Sequence, residues 1–79
     1  MKVEICLYAS LSSRLPKETD GNCFTMDINE NTSIGTILSD LNIRPDEPKL
    51  ILVNGIHSKL DGSLKEGDRL AVFPPIAGG

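Results

Sequence analysis

Apolar and polar positions alternate in two stretches of the first third of the chain, and each stretch predicts a β-strand. The first covers residues 2–8 and the second covers residues 23–28. The apolar side chains that would point inward are Val3, Ile5, Leu7, Phe24, Met26 and Ile28. Cys6 and Cys23 fall on the outward faces of the two strands. A contact between them depends on the strand register, which the sequence leaves open.

The composition changes between and after these strands. Residues 9–22 are rich in Ser, Pro, Lys, Asp and Gly, which predicts a loop or a short helical turn. Polar capping residues at 29–33 are followed by apolar residues at helical spacing, so we predict a short amphipathic helix over about residues 33–41. Asn42 is suited to a left-handed helix end, and the prolines that follow at 45 and 48 prevent the helix from continuing.

The second half of the chain predicts three more strands. Residues 50–53 are continuously apolar, which is typical of a strand buried on both faces. Asn54-Gly55 predicts a tight hairpin turn, because both residues accept a positive φ, and the returning strand would cover residues 56–59. A last strand is predicted over residues 68–73, ended by the Pro-Pro pair that follows it.

The order of these elements predicts one α+β domain over residues 1–73, with one main helix packed on a mixed sheet. If the last strand runs parallel to the first and beside it, the arrangement is the ubiquitin-like β-grasp. Residues 74–79 would then form an extended, flexible C-terminal tail that ends in Gly-Gly.

Size and charge exclude several classes of function. A domain of 79 residues buries only about 60% of its surface, so an enclosed active site is not expected. The formal net charge of −3 gives no electrostatic reason to bind phosphate backbones, so we expect no nucleic-acid partner. No apolar run is long enough to span a bilayer, and the first residues lack the layout of a signal peptide. We therefore expect a cytoplasmic protein without a membrane partner.

Few side chains suggest catalysis or metal binding. Cys6 and Cys23 do not form a CxxC pair, and with no secretory signal we expect free thiols in place of a disulfide or metal site. His57 is the only histidine and has no potential metal ligand beside it, so we expect an exposed strand residue. Several carboxylates favour a solvated surface, with an acidic docking face as the alternative. These are Asp46, Glu47, Asp61, Glu66 and Asp68.

The C-terminal residues have a different character. The proline pair favours an extended departure from the sheet, Ile76 offers one apolar anchor, and Gly78 and Gly79 have no Cβ. Extended, the segment from Pro74 to Gly79 would reach about 20 Å, so it could be threaded into a narrow channel of another protein. A carboxylate at Gly79 is a poor electrophile and would need activation, for example as an acyl-adenylate made from ATP. Glycine would leave that carbonyl open to a nucleophile.

The stretch from Leu64 to Gly79, with its Phe-Pro-Pro-x-x-Gly-Gly ending, and the earlier Leu52-Val53-Asn54-Gly55 resemble the MoaD/ThiS-like sulfur carriers. This family includes the molybdopterin synthase small subunit and its thiamine-pathway relatives, and the double proline is closer to the molybdopterin branch. The resemblance implies a β-grasp carrier that is not an enzyme and binds no cofactor. It also implies that a ubiquitin-activating-enzyme-like partner adenylates the terminal glycine with ATP. The glycine becomes a thiocarboxylate, and the tail enters the large synthase subunit.

By this resemblance Gly79 carries the sulfur, and the other tail residues lie in the partner's channel. These are Pro74, Pro75, Ile76, Ala77 and Gly78. Phe73 shares a strand face with Arg69, which should face water, so we expect an exposed Phe73 that acts as a docking anchor. Two alternatives use the same Gly79: a carrier for thiamine thiazole or another sulfur-transfer pathway, and a ubiquitin-like modifier conjugated to target proteins. Residues 9–22 depart from the family's more helical stretch, so the particular activating enzyme and large subunit stay open.

Overall fold

The computed structural model describes residues 1–75, and the fold in this range is built on one five-stranded sheet. The strands are β1 (Lys2–Leu7), β2 (Cys23–Asp27), β3 (Leu50–Val53), β4 (Ile56–His57) and β5 (Arg69–Phe73). A 3₁₀ helix (Ala9–Arg14) follows β1, and one α-helix, α1 (Ile34–Asp40), follows β2. The predicted tail residues Ile76, Ala77, Gly78 and Gly79 lie outside the described residues.

The strands lie in the order β2-β1-β5-β3-β4. β1 and β5 are parallel, and the other neighbouring strands are antiparallel, so the sheet is mixed. This confirms the predicted β-grasp arrangement, in which the first and last strands run side by side. The last strand is therefore held on both edges.

Helix α1 begins and ends where the sequence predicts. The Ser33 hydroxyl accepts a hydrogen bond from the backbone N–H of Thr36 at 3.1 Å, which satisfies one of the free donors of the first turn. Asn42 adopts a left-handed φ of 63° just after the helix, and the next N–H, that of Ile43, bonds to the Leu38 carbonyl at 2.9 Å. In the described part of the chain, no helix is long and apolar enough to cross a membrane.

One face of the sheet carries the core. The buried side chains of α1 join those of the strands in a single cluster, which also includes Leu11 from the 3₁₀ helix. The members from the strands and α1 are Val3, Ile5, Leu7, Ile34, Ile37, Leu38, Ile51, Leu70 and Val72. The inward face predicted for β1 is confirmed, whereas Phe24 and Met26 of β2 are only partly buried, because β2 is an edge strand.

The prediction that β3 is buried on both faces is wrong. Ile51 is buried, whereas Leu50, Leu52 and Val53 are half-buried. Only one face of the sheet is covered by the helix, so Leu50 and Leu52 lie on the outer face together with their β5 partners, Phe73 and Ala71. Four successive apolar residues in this small sheet therefore create a partly apolar outer surface.

The turn after β3 fixes the start of β5. Asn54 and Gly55 have φ values of 53° and 83°, as the predicted tight turn requires, and the returning strand β4 is shorter than predicted. The Asn54 side chain donates to Asp68 at 2.9 Å and accepts the Arg69 backbone N–H at 3.0 Å. Asp68 also accepts the Lys65 backbone N–H at 2.8 Å. Hydrogen bonds to Lys65 and Asn54 lower the pKa of Asp68.

The prediction of free thiols is wrong, because Cys6 and Cys23 form a disulfide. The β1–β2 register places the two residues directly opposite each other, with their Cα atoms 4.1 Å apart. Both cysteines lie on the outward faces of their strands, as predicted, but Cys6 is fully buried and Cys23 is half-buried. Composition and cysteine spacing carry no information on register, and register decides this pairing.

Candidate functional site

The candidate site is the end of β5, from which the chain continues toward Gly79. β5 lies between β1 and β3, and its last carbonyl, that of Phe73, accepts the Lys49 backbone N–H at 2.8 Å. On the other edge, the Val72 carbonyl accepts the Tyr8 backbone N–H at 3.3 Å. Hydrogen bonds to both neighbours therefore fix the position at which the chain leaves the sheet.

Phe73 lies on the outer face of the sheet, as the strand alternation predicts, but it is half-buried and not freely exposed. The reason is Tyr8, whose ring stacks on that of Phe73 with centroids 4.6 Å apart and an interplanar angle of 6°. Stacked pairs of this kind stabilise by about 0.5–1.5 kcal/mol beyond their buried area. The contact turns two separate aromatic side chains into one rigid apolar surface.

Sequence reasoning did not assign Tyr8 to the site. The outward orientation of Tyr8 could nonetheless have been predicted, because Tyr8 continues the outward alternation of Glu4 and Cys6 on β1. The missing information was the parallel register, which pairs Leu7 with Val72 and so brings Tyr8 beside Phe73. We call the outer face formed by Tyr8, Phe73, Leu50 and Leu52 the outer apolar face.

The two prolines after β5 line a shallow depression at the surface. Pro74 is half-buried and Pro75 is exposed. The rest of the depression comes from the 3₁₀ helix and from the loop before β3, with Ser10, Leu11, Arg44, Asp46 and Glu47. The depression is open and small, so it suits a contact surface better than a pocket for a substrate.

Glu47, one of the carboxylates that line this depression, is held in place by hydrogen bonds. It accepts the Arg44 backbone N–H at 2.6 Å, and both of its oxygens lie 3.2–3.3 Å from the Arg14 guanidinium. The hydrogen bond from Arg44 lowers the pKa of Glu47, and the Arg14 guanidinium lowers it further, although burial acts in the opposite direction. Arg14 ends the 3₁₀ helix, in the segment predicted to be a loop or a short helical turn, so this ion pair ties that segment to the loop before β3.

The acidic residues predicted as a solvated surface divide into two groups. Glu47 and Asp68 are half-buried and accept hydrogen bonds that shape loops. Asp46, Asp61 and Glu66 are exposed. His57 is exposed on β4, as predicted. Asp46 and Glu47 lie in the loop before β3, and the other three lie between β4 and β5, so an acidic docking face stays a hypothesis.

The sequence pattern of the ThiS family matches residues 14–79, which is most of the chain. The chain belongs to the ThiS family. It is therefore a ubiquitin-like carrier of the MoaD/ThiS type, as the sequence motifs predict. The matched range includes the end of β5, both prolines and the Gly-Gly pair. A comparison with curated protein sequences finds no match.

Solved structures agree with the fold of this ThiS-family chain. SAMP1 from Haloferax volcanii superposes with a TM-score of 0.72 at 22% identity, over 100% of both chains. A Pyrococcus furiosus protein assigned as molybdopterin converting factor subunit 1 gives a TM-score of 0.66 at 21% identity, over 95% of this chain and 98% of that one. The complex of subunits 1 and 2 of the Helicobacter pylori molybdopterin-converting factor gives 0.62 at 25% identity, over 100% of both chains.

Proposed function

We propose that this ThiS-family chain carries sulfur on Gly79 for molybdopterin synthesis, as the small subunit of a molybdopterin synthase. The observation that carries the proposal is the Phe73-Pro74-Pro75 exit from a central strand, followed at the end of the family match by Gly78-Gly79. The domain supplies a fixed starting point, and the last glycine supplies the reacting carboxylate. Catalytic side chains belong to the partner enzymes.

The chemistry requires two steps at Gly79. The carboxylate oxygen attacks the α-phosphate of ATP, which forms an acyl-adenylate and releases pyrophosphate. A sulfide-equivalent nucleophile then attacks the carbonyl carbon, AMP leaves, and a thiocarboxylate remains. Glycine serves both steps because it has no side chain to hinder approach to the carbonyl. ATP is bound by the activating enzyme and not by this chain, whose described surface near the exit is an open depression.

This function requires two partners. The first is a ubiquitin-activating-enzyme-like protein that adenylates Gly79. The second is the large subunit of molybdopterin synthase, which would receive Pro74, Pro75, Ile76, Ala77, Gly78 and Gly79 in its channel. The Helicobacter pylori complex joins subunits 1 and 2 of the molybdopterin-converting factor, and this supports a large-subunit partner for a chain of the same fold. The outer apolar face, next to the exit, is the surface we propose for docking, since stacked aromatic side chains bury area at low entropic cost.

Two alternative functions use the same terminal carboxylate. The match to the ThiS family keeps a thiamine thiazole or other sulfur-transfer pathway as one alternative. The similarity to SAMP1, a protein described as a small archaeal modifier, favours a ubiquitin-like modifier as the other. In that case a target lysine, and not a sulfur nucleophile, would attack the activated Gly79 carbonyl and form an amide.

Intact-mass spectrometry separates these functions. The chain ending at Gly79 is incubated with an activating enzyme, ATP and a sulfur donor, and we expect a mass gain equal to the replacement of one oxygen by sulfur. A variant lacking Gly79 is the control and should gain nothing. High-mass lysine conjugates without a thiocarboxylate would overturn the carrier function. Co-purification with a molybdopterin synthase large subunit, as opposed to a thiazole synthase, then tests the pathway.

A further inference from the structure

The outer face of the sheet holds a compact group of metal-ligating side chains next to the outer apolar face, since Cys6 lies opposite Ala71 of β5. In residues 1–75, ligand atoms of Glu4, Cys6 and Cys23 all lie within 4.8 Å of one another. Sequence spacing predicted no metal site here, because the two cysteines are separated by 17 positions and meet only through strand pairing.

We propose that these three residues form a redox-gated site for a thiophilic divalent cation such as Zn²⁺. In the oxidised protein the Cys6–Cys23 disulfide closes the site. Reduction frees two thiols that the sheet holds facing each other, with Glu4 as the third ligand. The proposed site does not involve Gly79, so it is independent of sulfur transfer at the C-terminus.

The backbone pre-positions the two sulfur ligands. Next to the cysteine pair, the Leu7 N–H donates to the Asn22 carbonyl at 3.0 Å, and the Asn22 side chain donates to the Leu7 carbonyl at 2.9 Å. These bonds make Cys6 and Cys23 a non-hydrogen-bonded pair, the kind of cross-strand pair whose side chains lie closest. The backbone ladder does not involve the disulfide, so reduction leaves the two thiols on the same face and near each other.

The alternation of side chains along β1 places Glu4 as the third ligand. Glu4 lies two positions before Cys6, so its carboxylate shares the same face, and it is half-buried. Glu4 pairs with the Arg69 guanidinium through Oε1. A carboxylate has a second oxygen, which leaves one ligand atom for a cation while Arg69 stays bound. With two thiolates and one carboxylate around Zn²⁺ the site has a net charge of −1, and Arg69 compensates it.

The ligand set fits the coordination chemistry of zinc. Zn–S bonds of about 2.3 Å and Zn–O bonds of about 2.0–2.2 Å require ligand atoms a few ångströms apart, as the three residues provide. Three protein ligands leave a fourth position for water, because Cys23 and Glu4 are partly open to solvent. Cations that prefer oxygen ligands alone, such as Mg²⁺, are disfavoured by two thiolates.

Opening the site requires a reductant that cleaves the Cys6–Cys23 disulfide. A phosphine and one water molecule cleave the S–S bond, the phosphine becomes its oxide, and two thiols form. A dithiol reductant gives the same two thiols and is itself oxidised to a disulfide. Zn²⁺ then displaces the two thiol protons into solvent as it binds the thiolates.

Cobalt substitution tests the site in the full chain. Co²⁺ is titrated into phosphine-reduced and into oxidised protein, and Zn²⁺ affinity is measured by competition. We expect thiolate-to-cobalt charge-transfer absorption at one ion per chain in the reduced protein, with affinity at least about 100-fold weaker in the oxidised protein. Glu4→Gln should weaken binding by about tenfold or more. The matched control is Asp27→Asn, which removes a carboxylate of β2 from the same outer face of the sheet and should leave metal affinity unchanged.

Three results would overturn the proposal. One is the absence of charge-transfer absorption in reduced protein whose circular dichroism shows that it is folded. Another is equal metal affinity in the oxidised protein or in a Cys6→Ala/Cys23→Ala variant. The third is one ion per two chains with no effect of Glu4→Gln, which would mean that the thiols bridge two molecules and that Glu4 is not a ligand.

Discussion

Tyr8 and Phe73 stack with ring centroids 4.6 Å apart and nearly parallel planes, although 64 residues of chain lie between them. The contact joins the end of the first strand to the end of the last, at the point where the chain leaves the sheet. Phe73 therefore takes its position from the neighbouring strand and not only from its own.

Replacement of Phe73 by Ala should weaken binding to the partner that receives the tail. Loss of a central aromatic contact typically costs about 2 kcal/mol or more of binding free energy, so we expect the dissociation constant to rise at least about 30-fold. Calorimetric titration with the large subunit measures this. Ile56→Ala is the matched control, since Ile56 is 71% exposed but lies on β4 away from the exit, and it should bind normally. Equal losses in both variants would contradict a specific role for Phe73.

Removal of Gly79, or addition of one residue after it, should abolish thiocarboxylate formation without changing thermal unfolding. Among residues 1–75, the core cluster draws its buried side chains from positions 3 to 72, so we expect a change at position 79 to leave it intact. Intact mass after the activation reaction measures function, and differential scanning calorimetry measures stability. A large drop in the unfolding temperature of the shortened chain would show that the tail is packed structure.

Truncation of Leu38 to Ala should destabilise the domain by about 2–5 kcal/mol, because it leaves a cavity between α1 and the sheet. Leu38 is 1% exposed and belongs to the single core cluster. Urea unfolding measures the change, and Ser39→Ala, on the exposed side of the same helix, is the control. A loss below 1 kcal/mol would mean that the helix packs more loosely than the structure indicates.

Chemical reduction of the Cys6–Cys23 disulfide should lower stability by about 3 kcal/mol, as expected when a closed loop of this length gains freedom in the unfolded chain. Urea unfolding with and without a phosphine reductant measures the difference. The Cys6→Ala/Cys23→Ala variant has no disulfide and should be indifferent to the reductant. An identical unfolding midpoint for the wild-type chain in both conditions would show that the bond does not form.

Glu47 should make stability depend on pH in the acidic range. Its pKa in the folded state is lowered from the ordinary value of 4.5 by the Arg44 backbone hydrogen bond, with help from Arg14. The unfolded state therefore binds the proton more tightly, and the stabilisation is fully present above pH 4.5 and is lost as pH falls through the folded-state pKa. The destabilisation of Glu47→Gln, measured by urea unfolding, should be larger at pH 6 than at pH 3.

Asp46→Asn is the control for this prediction. Asp46 is 78% exposed, and its one ion pair within residues 1–75 is with an exposed Arg44 side chain, so it contributes little. A Glu47→Gln variant with the same deficit at both pH values would mean that the substitution acts through packing and not through charge.

The local pattern of the sequence predicted the elements and their limits where short-range physics decides them. Ser33 and Asn42 bound the helix because their own hydrogen bonds and backbone angles do so. The disulfide and the Tyr8–Phe73 stack could not be predicted, since both depend on register between strands that are distant in sequence. The half-burial of β3 also could not be predicted, because it depends on which face of the sheet the single helix covers.

The central place of β5 has a mechanical consequence. A partner that draws the C-terminal residues into a channel pulls along the axis of β5, and the load then acts in shear on the hydrogen-bond ladders to β1 and β3 at the same time. A shearing load must break many bonds together, whereas peeling an edge strand such as β2 breaks them one by one. Because β5 lies between two neighbours, it should resist a pull on the C-terminal residues better than an edge strand would.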